Sequence, residues 1–185
     1  MKKIVFVAIA FLLAGVAQVC GQTAKSQSTL ETQLGFSNPN NLSGFALGVQ
    51  YGYSVAPSID LLAAVEMANG YASSPSGNGT DDASINAFII GARYRLPQFG
   101  RFVAGVSLQG GAALNWNYKA DVAIAPNGFS GEVWTLDFLV GGQVDCMYLL
   151  TENVALGLYG NYRYLFTNDA PHWLGAGVKL RVNLR

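Results

Sequence analysis

The sequence holds one histidine, His172, so any nucleophilic chemistry of the Ser–His–Asp kind must run through it. Asp169 lies just before it, and Ser130 and Ser84 are the hydroxyls a loop could carry toward it. Such a set works only when base, orienting acid and nucleophile come within hydrogen-bond reach of one another. Single residues of these kinds coincide often in loops, and the chain is read as a non-enzyme. Asp81 and Asp82 with Asp121 could weakly hold a divalent cation, which wants several oxygen ligands, but solvated loop acids account for them more simply. No His/Cys cluster has metal-ligand spacing, and no glycine-rich phosphate loop opens a helix, so neither metal nor cofactor is expected. Ten of the other charged residues stand out by their place in the chain's alternating pattern: Glu31, Asp60, Glu66, Arg93, Arg95, Asp137, Asp145, Arg163, Lys179 and Arg181. Their chemistry is ion pairing, and what it does depends on the elements that hold them.

Those elements are strands. Over residues 102–119 every second position is apolar or small (Phe102, Ala104, Val106, Leu108, Gly110, Ala112, Leu114, Trp116, Tyr118). The alternate face carries Gly105, Ser107, Gln109, Gly111, Asn115 and Asn117. A period of two is that of a β-strand, whose successive side chains point to opposite faces. The run is far longer than an ordinary strand and exceeds the 9–11 residues that a tilted strand needs to cross a bilayer. The apolar face therefore reads as lipid-facing and the small, polar face as interior.

Seven further segments repeat the pattern: 29–37, 44–55, 59–71, 83–96, one beginning at Trp134, 154–167 and 173–185. Three connections are tight (56–58, 97–101 and 151–153); four are longer (37–43, 73–82, 121–133 and 168–172) and rich in Ser, Gly, Asn, Asp and Pro. In this assignment the ten charged residues all fall on the inner face. A soluble barrel would place charge outside and apolar residues within, so charge placement decides for an all-β, eight-stranded, antiparallel up-and-down transmembrane β-barrel.

The totals agree. Apolar residues make up 51% of the 185 and charged ones 12%, about half the charge of an ordinary soluble domain. Lys2 and Lys3 followed by the apolar run 4–17 read as a secretory signal, with cleavage after Gly21. Residues 1–21 are thus a leader and 22–185 the barrel domain. The mature chain then holds nine basic against eleven acidic residues, which gives no support to nucleic-acid binding. Cys20 invites a lipoprotein reading, although Gln18 and Val19 fit that signal poorly. If Cys20 leaves with the leader, Cys146 is alone, a small hydrophobe on the lipid side.

Leader, eight alternating strands and the outward aromatics Phe102, Trp116, Trp134 and Tyr148 resemble the small outer-membrane β-barrels of Gram-negative bacteria, with the OmpA and OmpX transmembrane domains as familiar examples. A leader ending before Gln22 is similar to those of Bacteroidetes. The resemblance implies an address in the outer membrane, contact with its lipid and lipopolysaccharide, and delivery by the barrel-assembly machinery. Members of those families end in an aromatic residue; here Leu180, Val182 and Leu184 keep the alternation, but Arg185 is last.

An eight-stranded lumen is just wide enough to be filled by side chains. Glu31, Asp60, Asp145, Arg93, Arg95, Lys179 and Arg181 fall toward the tight-turn half. Asp60 is expected nearly opposite Arg95, and Glu31 near Lys179 or Arg181 where the barrel closes. The charges are either a gate on a narrow ion or proton path or a neutralised plug, and near balance of sign favours the plug. Three functions follow: a structural or interaction protein presenting its longer loops to an extracellular ligand, a narrow channel, or a lipid-modifying enzyme that would need His172.

Overall fold

A computed structural model of the chain describes residues 27–39, 43–73, 80–118, 132–166 and 172–184. The expected leader, Cys20 and the centres of all four longer loops lie outside the described residues. Eight strands follow in order: β1 (Ser28–Pro39), β2 (Ser43–Ala56), β3 (Ile59–Ser73), β4 (Thr80–Arg95), β5 (Phe102–Tyr118), β6 (Glu132–Leu149), β7 (Val154–Leu165) and β8 (His172–Leu184). Each pairs antiparallel with the next, and β8 pairs with β1, closing the barrel.

Alternation along each strand sorts side chains between two media. Leu108, Phe138 and Leu158 are 69%, 70% and 65% exposed, whereas their sequence neighbours Gln109, Leu139 and Tyr159 are at most 4% exposed. Outward rows of Leu, Val, Ile, Phe and Tyr cover the wall on all eight strands. Closure leaves no edge along the paired span, so that ladder needs no water to satisfy it. Those are the two demands a bilayer makes of a spanning sheet. No helix among the described residues is long and apolar enough to cross a membrane; this chain crosses with strands. Aromatic pairs flank the apolar band, Phe102 with Tyr148 toward the tight turns (centroids 5.2 Å apart) and Phe36 with Phe45 toward the longer loops (5.4 Å).

The hairpin ladders run further than the turn-forming residues suggest. Ser73 pairs with Thr80, and Tyr118 with Glu132, so parts of the expected loops 73–82 and 121–133 belong to strands. Once two strands are in register, each further rung satisfies another backbone pair, and Ser, Thr and Asp are carried along. At the other end the turns are compact. Gly100 has φ +58° in the turn between β4 and β5, where glycine is favoured. Thr151 accepts hydrogen bonds through its hydroxyl oxygen from the amides of Asn153 and Val154 before β7 begins.

Two inward glycines stand where a side chain would collide with its surroundings. A Cβ on Gly111 would strike the Phe88 carbonyl of the adjacent strand. One on Gly105 would meet Arg93 Cδ at 2.9 Å, so there the missing side chain makes room for a guanidinium.

Candidate functional site

The bore holds two stacked layers. The layer toward the tight turns is built around Glu31, which projects inward from β1 with no exposed side-chain surface. Three cations from two strands converge on it: Arg93 Nη1 at 2.6 Å, Arg181 Nε at 2.6 Å and Lys179 Nζ at 3.0 Å. Gln50 Nε2 donates a further hydrogen bond at 3.0 Å. Arg93 reaches across to Asp60 as well, with Nη2 at 2.8 Å and Nε at 3.0 Å, and Ser54 donates to the same carboxylate. Arg181 Nη2 donates to Asp145 at 3.2 Å, and Arg93 Nη1 lies 4.0 Å from Asp145.

The register differs from the expected one at one point. Asp60 stands opposite Arg93, not Arg95. A shift of two residues keeps every side chain on its own face, so periodicity alone could not separate the two arginines. Arg95 still lies 3.4 Å from Asp60, but its side chain is 25% exposed and it donates to the Pro57 carbonyl of the turn at 3.0 Å. This layer has four cations and three carboxylates, and the surplus charge is the one at the wet mouth.

Above it, Glu66 pairs with Arg163 at 2.8 Å. Gln33 donates to Glu66, and the Gln109 carbonyl accepts from Arg163 Nε and Nη2 at 3.2 and 3.1 Å. Asp137 stands apart. Among the described residues its partner is the Thr135 hydroxyl, which donates at 2.7 Å, and no cation reaches it.

The second layer is apolar. Ala46, Ala64, Ala68, Ile85, Ala87, Ile89, Ala113, Leu139, Leu165 and Trp173 form one cluster, each at most 6% exposed. They come from β2 through β8, leaving only β1, which offers Gly35 and Ser37 at that height. Trp173 covers this gap. Its indole N–H donates to Ser37 Oγ at 2.8 Å, and the Arg163 guanidinium carbon lies 4.5 Å from its ring centroid. The interior was expected to be small and polar throughout; toward the longer loops it is instead a dry disk. The sequence carried a signal for it, because Ile89–Ile90, Phe138–Leu139–Val140 and Tyr164–Leu165–Phe166 are apolar on both faces, as strands buried on both sides are.

Of the residues weighed for catalysis, the two that are described, His172 and Ser84, lie apart. His172 is the first residue of β8 and faces outward, with Nδ1 2.7 Å from the Tyr162 hydroxyl and its ring against Tyr164. Ser84 lies on β4, four strands away around the barrel. Asp169, Ser130 and Asp121 lie outside the described residues. Among those described, no three His, Cys, Asp or Glu groups gather to hold a metal.

No protein-family model matches the sequence, and no curated protein matches it. Solved structures do. Neisserial surface protein A aligns over 87% of this chain and 98% of its own, with a TM-score of 0.64 at 13% identity. The fold is that of the small outer-membrane β-barrels. The N-terminal β-barrel domain of Pseudomonas aeruginosa OprF aligns over 86% of this chain and all of its own (TM-score 0.52, 14% identity). Ail, the attachment invasion locus protein of Yersinia pestis, solved with the heparin analogue sucrose octasulfate, aligns over 85% and 96% (TM-score 0.50, 8% identity). At these identities what is shared is the architecture: wall, closure and strand number.

Proposed function

We propose that the chain is an integral outer-membrane protein whose barrel is a closed scaffold, and that its work is done by the loops it holds above the lipid. The bore carries this reading: apart from Asp137, its inward charges are ion-paired, and an apolar disk lies above the layer built on Glu31. A filled interior of this kind argues against a solute path, and no catalytic set is assembled among the described residues. What it offers the outside is residues 40–42, 74–79, 119–131 and 167–171 on a rigid frame, the usual place for recognition in such an arrangement. Its surroundings are outer-leaflet lipid and lipopolysaccharide, and assembly machinery inserts it.

Ail is solved with a sulfated polyanion, but the loop ends of this chain carry Asp81, Asp82, Asp121, Glu132 and Asp169 against Lys119. That balance disfavours a polyanion and favours a neutral or basic partner. Two measurements test the reading. Proteinase K applied to intact cells should cut within 74–79 or 119–131 and leave a heat-resistant barrel. Cutting only after permeabilisation would put the loops on the wrong side. The wild-type protein in planar bilayers should give no discrete current steps; steady steps would make it a channel.

A further inference from the structure

We propose that the permeability seal of this barrel is the apolar disk, with Trp173 as its keystone, and that the ion-pair layer beneath it is not the seal. This rests on the reading that the wild-type bore is closed, and it names the part that closes it.

The two layers resist permeation by different physics. A layer of carboxylates, guanidiniums and amides is polar, and its members can exchange partners with water or a passing ion. An apolar constriction offers no replacement for a hydration shell, and such constrictions close pores by excluding water. Here the constriction is complete only because of one residue. Seven strands supply an apolar side chain to the disk, and the eighth, β1, supplies Gly35 and Ser37. A Cβ on Gly35 would strike the Ala176 carbonyl, so the wall cannot provide its own side chain at that point. Trp173 lies fully buried over this place, anchored by Ser37 at 2.8 Å and seated on Arg163. It is the largest of the fully buried side chains. Gly175 and Gly177 follow it on the inner face of β8, and neither has a side chain that could replace the ring.

The charged layer is dry at its centre, where Glu31, Arg93 and Lys179 are buried, but Arg95 at its rim is a quarter exposed to the mouth. Loss of a charge there leaves the disk above untouched.

The experiment compares folded variants in planar bilayers and in liposome swelling with a small sugar. Trp173→Ala should produce discrete current steps where the wild type has none, and Trp173→Phe, which keeps a ring but loses the bond to Ser37, should stay closed. Arg95→Ala and Asp145→Asn should also stay closed. Trp173→Cys in a Cys146→Ser background should conduct and close again on reaction with a benzyl thiosulfonate reagent. Should Trp173→Ala fail to show the folded band on an unboiled gel, the pair Leu139→Ala with Leu165→Ala opens the disk from the opposite side and serves in its place. Silence from a folded disk variant, or steps from Arg95→Ala or Asp145→Asn as large as those of Trp173→Ala, would overturn the proposal. Steps in the wild type would instead remove the closed-scaffold reading on which it stands.

Discussion

Replacing Glu31 by Gln removes one charge and almost no volume, so its effect reports the electrostatics of the lower layer. Three cations lie 2.6, 2.6 and 3.0 Å from that carboxylate. Glu31 and Lys179 have no exposed side-chain surface, and Arg93 is 1% exposed. Arg93 and Arg181 keep Asp60 and Asp145 as partners, while Lys179 keeps no carboxylate among the described residues. The penalty is therefore that of one buried ammonium left without its counter-ion, about 3–5 kcal/mol. With a urea slope of about 2 kcal/mol/M, that moves the unfolding midpoint down by about 2 M. The assay is urea titration of the barrel in phospholipid vesicles, followed by tryptophan fluorescence and by the mobility of unboiled samples. A second variant checks the cause. Glu31→Gln with Lys179→Met removes the stranded charge, so the double variant should lose less than the sum of the two single losses, by about 1–3 kcal/mol. A midpoint shift in Glu31→Gln below about 0.5 M, or a double variant worse than the sum, would refute the reasoning.

Three further outcomes are expected. Arg93→Ala should cost about 3–5 kcal/mol and Arg95→Ala below about 1 kcal/mol in the same titration, because one arginine is buried between carboxylates and the other is part-exposed at a turn; equal losses would contradict that difference. Gly111→Val should abolish the folded band on an unboiled gel, since its side chain would meet the Phe88 carbonyl, whereas Gly110→Val, whose Cβ would have only the Leu139 carbonyl at 3.6 Å, should fold. Spin labels at Leu108, Phe138 and Leu158 should be relaxed by oxygen and shielded from aqueous nickel chelates. The reverse pattern would place those positions in water and overturn the transmembrane assignment.

The barrel was legible because its wall separates two media and each strand has a period of two. In β5, lipid-facing Leu108 and Leu114 alternate with Ser107, Gln109 and Asn115, and nothing breaks the phase. Charge made the sense of the wall legible, since Glu31, Glu66, Arg93, Arg163 and Lys179 share one parity and all are buried. Register was less accessible. Asp60 meets Arg93 across a hairpin joined through residues 74–79, and the length at which β3 and β4 stop pairing leaves no mark in an alternating pattern. The disk was missed because Ile85, Ile89, Leu139 and Leu165 keep the parity of the charged residues while having the character of the outer face. Alternation gives the side of the wall a residue occupies; it does not give the height at which the interior turns from polar to dry. Trp173 was harder still, because its place depends on a glycine-bearing strand 136 residues away.

Closure by β1 and β8 has a consequence for the order in which the chain can be built. Seven of the eight ladders join consecutive strands, and each can form as soon as its second strand arrives. The last joins the two ends of the barrel: Lys179 and Arg181 lie 148 and 150 residues from Glu31, against 62 for Arg93. Contacts that distant come with the largest loop-closure penalty and are formed late. Until β8 docks, Glu31 has a single guanidinium for company and one flank open, so the carboxylate that organises the finished interior is also the one held waiting longest. Arrival of the final strand thus supplies the missing cations, the indole and the last backbone rungs in one step, and an unfinished sheet has little reason to persist in place of the closed one.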